Sequence, residues 1–349
     1  MEGNDVDWFA AIKLPSDVDT DKGRRFIYFD PWIGEWTQSE LLISSNKSAI
    51  GATLSQLYNI NKKTASVIDS WSRNSVVESR PVSHPLERTF AIAYNDDRPS
   101  GPVVSGLAHS KGVAVFDHFV GFWMVHSVPN FPPSRGKYSY PGSGAVYGQS
   151  FLCMSISSNS LEDVGQYMRY AHVNPYLTNL PKYHKILAPS LVDVVNKKSL
   201  SKSATIFSTI RRIETLGGKK LIAFSKHKKY GKDLWYDLIA LNLNSQMAVE
   251  TWRKGSTQNI GSTCNESDPS RNVYDVNTVK LLGKRFKYWK DHSKWGVSMN
   301  AYVPAVCIGD INRQKSQYKR GGGAVCMEDV KLWEAFIQSV KCYDLCKTM

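Results

Sequence analysis

No apolar run in this 349-residue chain approaches the roughly 20 residues that a helix needs to cross a bilayer. A membrane-spanning helix and a membrane partner are therefore not expected. Met1 to Asp5 offer neither a basic stretch nor an apolar one, so no secretion signal is visible. Zinc-type Cys-x-x-Cys pairs are missing, and Cys342 and Cys346 have no histidine nearby to complete a metal site. The acidic residues do not gather as magnesium ligands around either of the motifs described below, so neither a metal nor another cofactor is expected. Acid is scarce overall: 31 Asp and Glu against 44 Lys and Arg leave a net charge of +13. That imbalance favours a polyanionic partner, either nucleic acid or an acidic surface. Five of the six cysteines fall in the last 86 residues, a usage that suits disulfides in an oxidising compartment. The sequons Asn46-Lys47-Ser48 and Asn265-Glu266-Ser267 fit the same setting.

What is present is a repeat. His109-Ser110-Lys111 returns as His292-Ser293-Lys294, and Asn130 follows the first histidine by 21 residues where Asn312 follows the second by 20. On a strand, residues two apart share a face, so each His and Lys can aim at one substrate. Two half-sites, one per half of the chain, could then meet on one phosphate. A neutral histidine can attack phosphorus and form a phosphohistidine. A second, protonated histidine can give its proton to the leaving oxygen and later activate water. Lys111 and Lys294 would stabilise the phosphoryl oxygens, and Asn130 and Asn312 would donate amide hydrogens to them. His109 is taken as nucleophile and His292 as acid, although the pseudo-symmetry permits the reverse. Two histidines in opposed protonation states imply a bell-shaped profile on the acid side.

The local patterns divide the chain in two, with the Pro-, Asn- and Lys-rich stretch over residues 174–203 as the joint. The expected halves are residues 1–175, carrying His109, Lys111 and Asn130, and residues 176–349, carrying His292, Lys294 and Asn312. Strands are expected over 6–13, 26–29 and 89–94, followed by a hairpin around Gly121. The second half is expected to resume with strands over 203–213 and 221–224, and the apolar stretches 234–241 and 247–252 follow. A short helix is expected over 51–60, a capping box of Ser160 and Asp163 opens another, and an amphipathic helix spans about 328–340, with Val330, Trp333, Phe336, Ile337 and Val340 on one side. Arg320-Gly321-Gly322-Gly323 reads as a flexible loop. A weaker echo places Lys13 early in one half and Lys226 early in the other.

Two copies of His-x-Lys…Asn resemble the phospholipase D superfamily. Longer strings resemble deoxyribonuclease II: Val6-Asp7-Trp8-Phe9, His109 to Val113, Phe122 to Pro133, Asp291 to Trp295, Gly309 to Arg313 and Arg320 to Gly323, in order over nearly the whole chain. The resemblance implies an α/β fold of two mixed-sheet halves about a pseudo-two-fold axis. It also implies a metal-independent acid endonuclease that leaves 3′-phosphate and 5′-hydroxyl ends, and a homodimer that clamps double-stranded DNA. The family's signal peptide and its cysteine before the first strand are not found here, which leaves Cys153 without that partner and Cys342 extra. Against that background Cys307–Cys326 is the first disulfide expected, closing the loop that carries Asn312 and the glycine run, and Cys264–Cys346 is the second. The superfamily's aspartate after the lysine falls one place late, at Asp117, and no role is carried to it. A secreted location, or an acidic, oxidising, lysosome-like or periplasmic one, would fit.

Further substrate contacts are weighed against plainer roles. His126 either touches substrate or orients Asn130. Asp310 either orients a catalytic histidine or makes a turn. Lys226 and Lys228 lie in a basic run, and Arg313 and Arg320 flank the Asn312 loop; all four are candidates for phosphate contacts. Trp123 and Trp295 fit core packing better than base stacking. Two rival functions are lipid phosphodiester hydrolysis and a non-catalytic DNA-binding clamp.

Overall fold

The computed structural model describes residues 5–59, 85–104, 106–255 and 257–346. Two large sheets dominate them. The first runs Thr37–Gln38, Phe26–Phe29, Trp8–Lys13, Gln149–Ser157, Val120–His126, Gly112–Phe116, Phe90–Tyr94 and Pro175–Asn179, every pair antiparallel. The second runs Lys284–Lys287, Val273–Leu281, Met247–Glu250, Trp295–Ser298, Ala305–Gly309, Gly322–Glu328, Lys220–Lys226 and Ser208–Glu214, with Val340–Tyr343 beside Val273–Leu281. Here Met247–Glu250 lies parallel to Val273–Leu281, so this sheet is mixed. The expected α/β architecture of two large sheets is what forms.

Strand periodicity explains the layering. Trp8, Ala10 and Ile12 join one core while Phe9 and Ala11 join another, because successive side chains point to opposite faces. One face of each sheet contributes to a single core that spans both halves, with the helices Leu161–Ala171 and Val330–Ile337 in it. Trp36 of the first half packs on Phe336 at 5.1 Å, and Phe336 packs on Trp295 at 5.2 Å. The outer face of the first sheet is covered by the helix Ala49–Asn59, and that of the second by the helical stretch Trp235–Leu243.

Several local expectations are corrected. The hairpin turns at residues 117–119, where the Asp117 carboxylate accepts the Phe119 and Val120 amides at 2.7 and 2.8 Å; Gly121 is already inside the strand. Ser160 makes no cap; a 3-10 turn, Ser158–Ser160, leads into the helix instead. Residues 235–243 are helical. The last helix is shorter than expected: Asp329 caps it, Leu332 and Phe336 are its buried face, Val330 is exposed, and Val340 belongs to a strand. Membership of the first sheet extends to Asn179, and the second sheet begins at Ser208. Ile60, at the end of the expected first helix, lies outside the described residues.

Candidate active site between the two halves

Each His-Ser-Lys motif leads directly into a central strand, Gly112–Phe116 or Trp295–Ser298. The return strand of each hairpin ends by donating to the motif lysine's carbonyl: His126 N–H to Lys111 O at 3.2 Å, and Gly309 N–H to Lys294 O at 2.9 Å. Register therefore matches the two motifs as far as the ends of their return strands. On the other flank Tyr94 stands opposite Gly112, and Glu250 opposite Trp295.

The motifs are seated across the pseudo-axis. His109 N–H donates to Gly321 O at 2.8 Å, and His292 N–H donates to Gly148 O at 2.9 Å. Both acceptors are closely packed, Gly321 against backbone and Gly148 against a side chain. A Cβ at Gly321 would lie 1.9 Å from the Ala171 carbonyl oxygen, and one at Gly148 would lie 2.3 Å from Asp291 Oδ1. The run at 321–323 is thus buried, tightly packed backbone rather than a flexible loop. Lys13 and Lys226 are equivalent in turn: Lys13 pairs with Gln149 and Lys226 with Gly322, each one residue past the accepting glycine. Lys13 Nζ donates to Ala145 O at 2.6 Å, and Lys226 Nζ donates to Gln317 O and Arg320 O at 2.8 and 2.7 Å. Each lysine pins the loop that presents the glycine. Burial lowers their pKa values to about 7 for Lys13 and about 8 for Lys226.

The catalytic candidates converge in a buried centre rich in basic groups. Burial, then Lys111, pushes the His109 pKa well below its usual value, with Asp96 opposing. Burial, then Lys294 and Lys111, does the same to His292, and burial with Lys111 depresses Lys294. Asp96 faces this charge. It accepts Lys111 Nζ at 2.5 Å and Arg320 Nη2 at 3.0 Å, and lies 3.8 Å from His109 Nε2. Burial pushes its carboxyl upward, but Lys111, His109 and Arg320 outweigh this and hold it well below the usual carboxylate range. His292 has different company. Its Nδ1 lies 3.1 Å from Ser127 O, a carbonyl that can only accept, and 3.2 Å from Lys294 Nζ; the Ser127 contact favours the tautomer protonated at Nδ1, with Nε2 bare. Its ring stands 5.3 Å from that of Trp252.

The other expected contacts fall in distinct places. Asn130, at a positive φ of 54°, donates to Asp97 Oδ1 and Arg98 O at 2.7 and 3.0 Å and accepts from Ser143. Asn312 is buried, and its Oδ1 meets no protein partner among the described residues. The His126 ring packs among Phe131 and Phe151, and its Nδ1 accepts Val128 N–H at 3.2 Å, ordering the turn towards Asn130. Asp310 occupies the place of Ser127 and accepts Gly323 N–H at 2.8 Å; burial lifts its pKa to about 7. Arg320 reaches the centre, also meeting Ala108 O at 3.3 Å. Lys228 is exposed, its Nζ 3.3 Å from Gly106 O.

Two candidates are corrected outright. Arg313 is fully buried, with Nη1 on Asp233 at 2.6 Å, Nε on Asp275 at 2.6 Å and Nη2 on Gly261 O, so no donor faces solvent for a phosphate. Lys226 is buried and committed to carbonyls as described. Trp123 and Trp295 are core residues. Sequence reasoning missed Asp96, which lies in what reads as an ordinary acidic turn, and it missed Trp252 and Tyr147. A register-aware comparison of the two motifs could have found Asp96 and Trp252, since both stand at the same place.

Cys307–Cys326 and Cys264–Cys346 are bonded, whereas Cys153 is buried and free and Cys342 exposed and free. Among the described residues no helix is long and apolar enough to cross a membrane.

Comparison with known proteins agrees with this geometry. Residues 1–346 match the family model described as Deoxyribonuclease II. Cell-death-related nuclease 7 of Caenorhabditis elegans is 38% identical over 350 residues, covering 100% of this chain and 87% of the relative. Plancitoxin-1 of Acanthaster planci is 34% identical, covering 98% of this chain and 90% of the relative. Deoxyribonuclease-2-beta of Mus musculus is 31% identical, covering 99% and 91%. Full-length similarity of this kind, on a chain whose two His-Ser-Lys motifs are each seated on backbone of the other half, shows that the protein belongs to the deoxyribonuclease II family and is a nuclease.

Proposed function

We propose that this protein is an endonuclease of acid pH optimum that hydrolyses DNA phosphodiesters without a metal, through a phosphohistidine, leaving 3′-phosphate and 5′-hydroxyl ends. The observation that carries this reading is the cross-seating of the motifs, which brings His109, Lys111, His292 and Lys294 into one buried centre lined by basic groups. A phosphodiester anion is the natural counter-charge, and the two lysines with Arg320 supply the electrostatic stabilisation that a metal would otherwise give.

The asymmetry of the centre divides the labour. Asp96 favours a cationic His109, which suits it to act as general acid. His292, protonated at Nδ1, presents a bare Nε2 as nucleophile. This reverses the assignment expected from the sequence. In the first step His292 Nε2 attacks phosphorus, the P–O5′ bond breaks, and His109 gives its proton to the departing oxygen. In the second step neutral His109 takes a proton from water, the new P–O bond forms, and the P–N bond breaks. Because both histidines have lowered pKa values, the protonated acid is scarce at neutral pH and the rate falls as pH rises. The disulfides suit an oxidising compartment, and the histidine chemistry suits an acidic one.

Plasmid cleavage across about pH 4 to pH 8 in excess EDTA tests this, with His109→Ala and His292→Ala alongside. Chelator-resistant cutting at acid pH, lost in both variants, is the expected result. A requirement for added magnesium would overturn the metal-free step.

A further inference from the structure

Two residues beyond the register-matched pairs Tyr94–Gly112 and Glu250–Trp295, the half-sites diverge: the first has Asp96, the second Trp252. Trp252 is half-buried, although it adjoins a centre whose ionisable groups are buried. Its ring lies 5.3 Å from His292 on one side and 4.5 Å from Tyr147 on another, the latter at an interplanar angle of 63°. Tyr147 belongs to the opposite half and directly precedes Gly148, the residue that seats His292. The aromatic pair is therefore fixed to the same backbone that fixes the histidine. Neither Trp123 nor Trp295 offers a face, since both are core residues.

We propose that Trp252, braced by Tyr147, is a stacking platform for the nucleobase next to the scissile phosphate on the His292 side. The proposal rests on the DNA-cleaving reading above. Every base has an apolar face, so an aromatic shelf holds a nucleic acid strand without choosing a sequence. The shelf has no counterpart beside His109, where Asp96 and Arg320 make the wall ionic. In-line displacement sends the departing 5′-oxygen away from His292, towards His109. The base on Trp252 therefore belongs to the nucleoside that keeps the phosphate.

The test uses DNA oligonucleotides with one abasic residue at successive positions, and product lengths report which phosphates are cut. The wild-type protein is expected to cut about tenfold more slowly at a phosphate whose 5′ neighbour lacks its base, and normally where only the 3′ neighbour lacks it. Trp252→Leu is expected to cut intact DNA about tenfold more slowly and to lose this positional difference, while Trp252→Phe keeps it. A wild-type profile with no dependence, or with equal or reversed dependence on the two neighbours, overturns the proposal while leaving the nuclease reading intact. So does a Trp252→Leu profile that keeps the wild-type difference. If the wild-type protein cuts no DNA, the reading falls and the platform with it. A residue that merely held His292 in place would slow cleavage equally at intact and abasic positions, and the mapping on wild-type protein needs no variant to fold.

Discussion

The His109 and His292 half-sites share a backbone and differ in their walls. Both motifs enter a central strand, both receive a hydrogen bond from the hairpin's return strand, and both are held by a glycine carbonyl of the other half. Beside His109 stands a carboxylate that also takes Lys111 and Arg320, while beside His292 stand a carbonyl and an indole. In the mechanism proposed above a duplicated scaffold delivers two histidines to one phosphate, but identical surroundings would give them identical proton affinities. Acid and nucleophile must differ, and the residue two places past the matched register makes them differ.

The largest effect should come from removing either histidine. His109→Ala and His292→Ala are each expected to slow DNA cleavage by about a thousandfold or more, and the double variant little further, because the two act as a unit. Additive losses measured on the same plasmid would mean that the half-sites work separately. Asp96→Asn should come next. Without the carboxylate, nothing offsets burial and Lys111 at His109, so its pKa drops further and less of it is protonated at a given pH. The alkaline limb of the pH–rate profile should move towards acid, with about a tenfold loss near neutrality. A limb that stays in place would return the acid role to His292.

Smaller effects separate bracing from binding. Lys226→Met and Lys13→Met should each destabilise the protein by about 1–3 kcal/mol in urea unfolding, since buried carbonyls lose their donor, and should leave the salt dependence of DNA binding unchanged. A changed salt slope would make either lysine a DNA contact. Lys228→Ala should do the opposite, lowering the salt slope by at most about 0.9 with stability untouched, and an unaltered slope would remove Lys228 from the interface.

The repeated motif was legible because it is local: three adjacent residues and an asparagine at nearly the same spacing. Even the faint echo of Lys13 and Lys226 marks equivalent places, although their burial could not be seen, since a basic run such as 226–229 looks solvated until Lys226 is found among carbonyls. The glycine run misled for a related reason. Gly321 needs its missing Cβ because of Ala171, 150 residues earlier, and no local pattern reports that approach. Arg313 likewise pairs with Asp233 and Asp275, both distant in sequence. The Asp96–Trp252 difference required strand register, which a single sequence leaves open.

The crossed hydrogen bonds to Gly321 and Gly148 carry one more consequence. Neither half owns a finished histidine, because each is positioned by backbone from the other. The molecule resembles a dimer whose subunits are joined end to end, and the connection between Asn179 and Ser208 carries neither motif, although its Ala188, Leu191 and Val194 join the shared core. Two pieces cut at that connection would be expected to hold together through their shared core and to lose both histidine seats together if that core came apart.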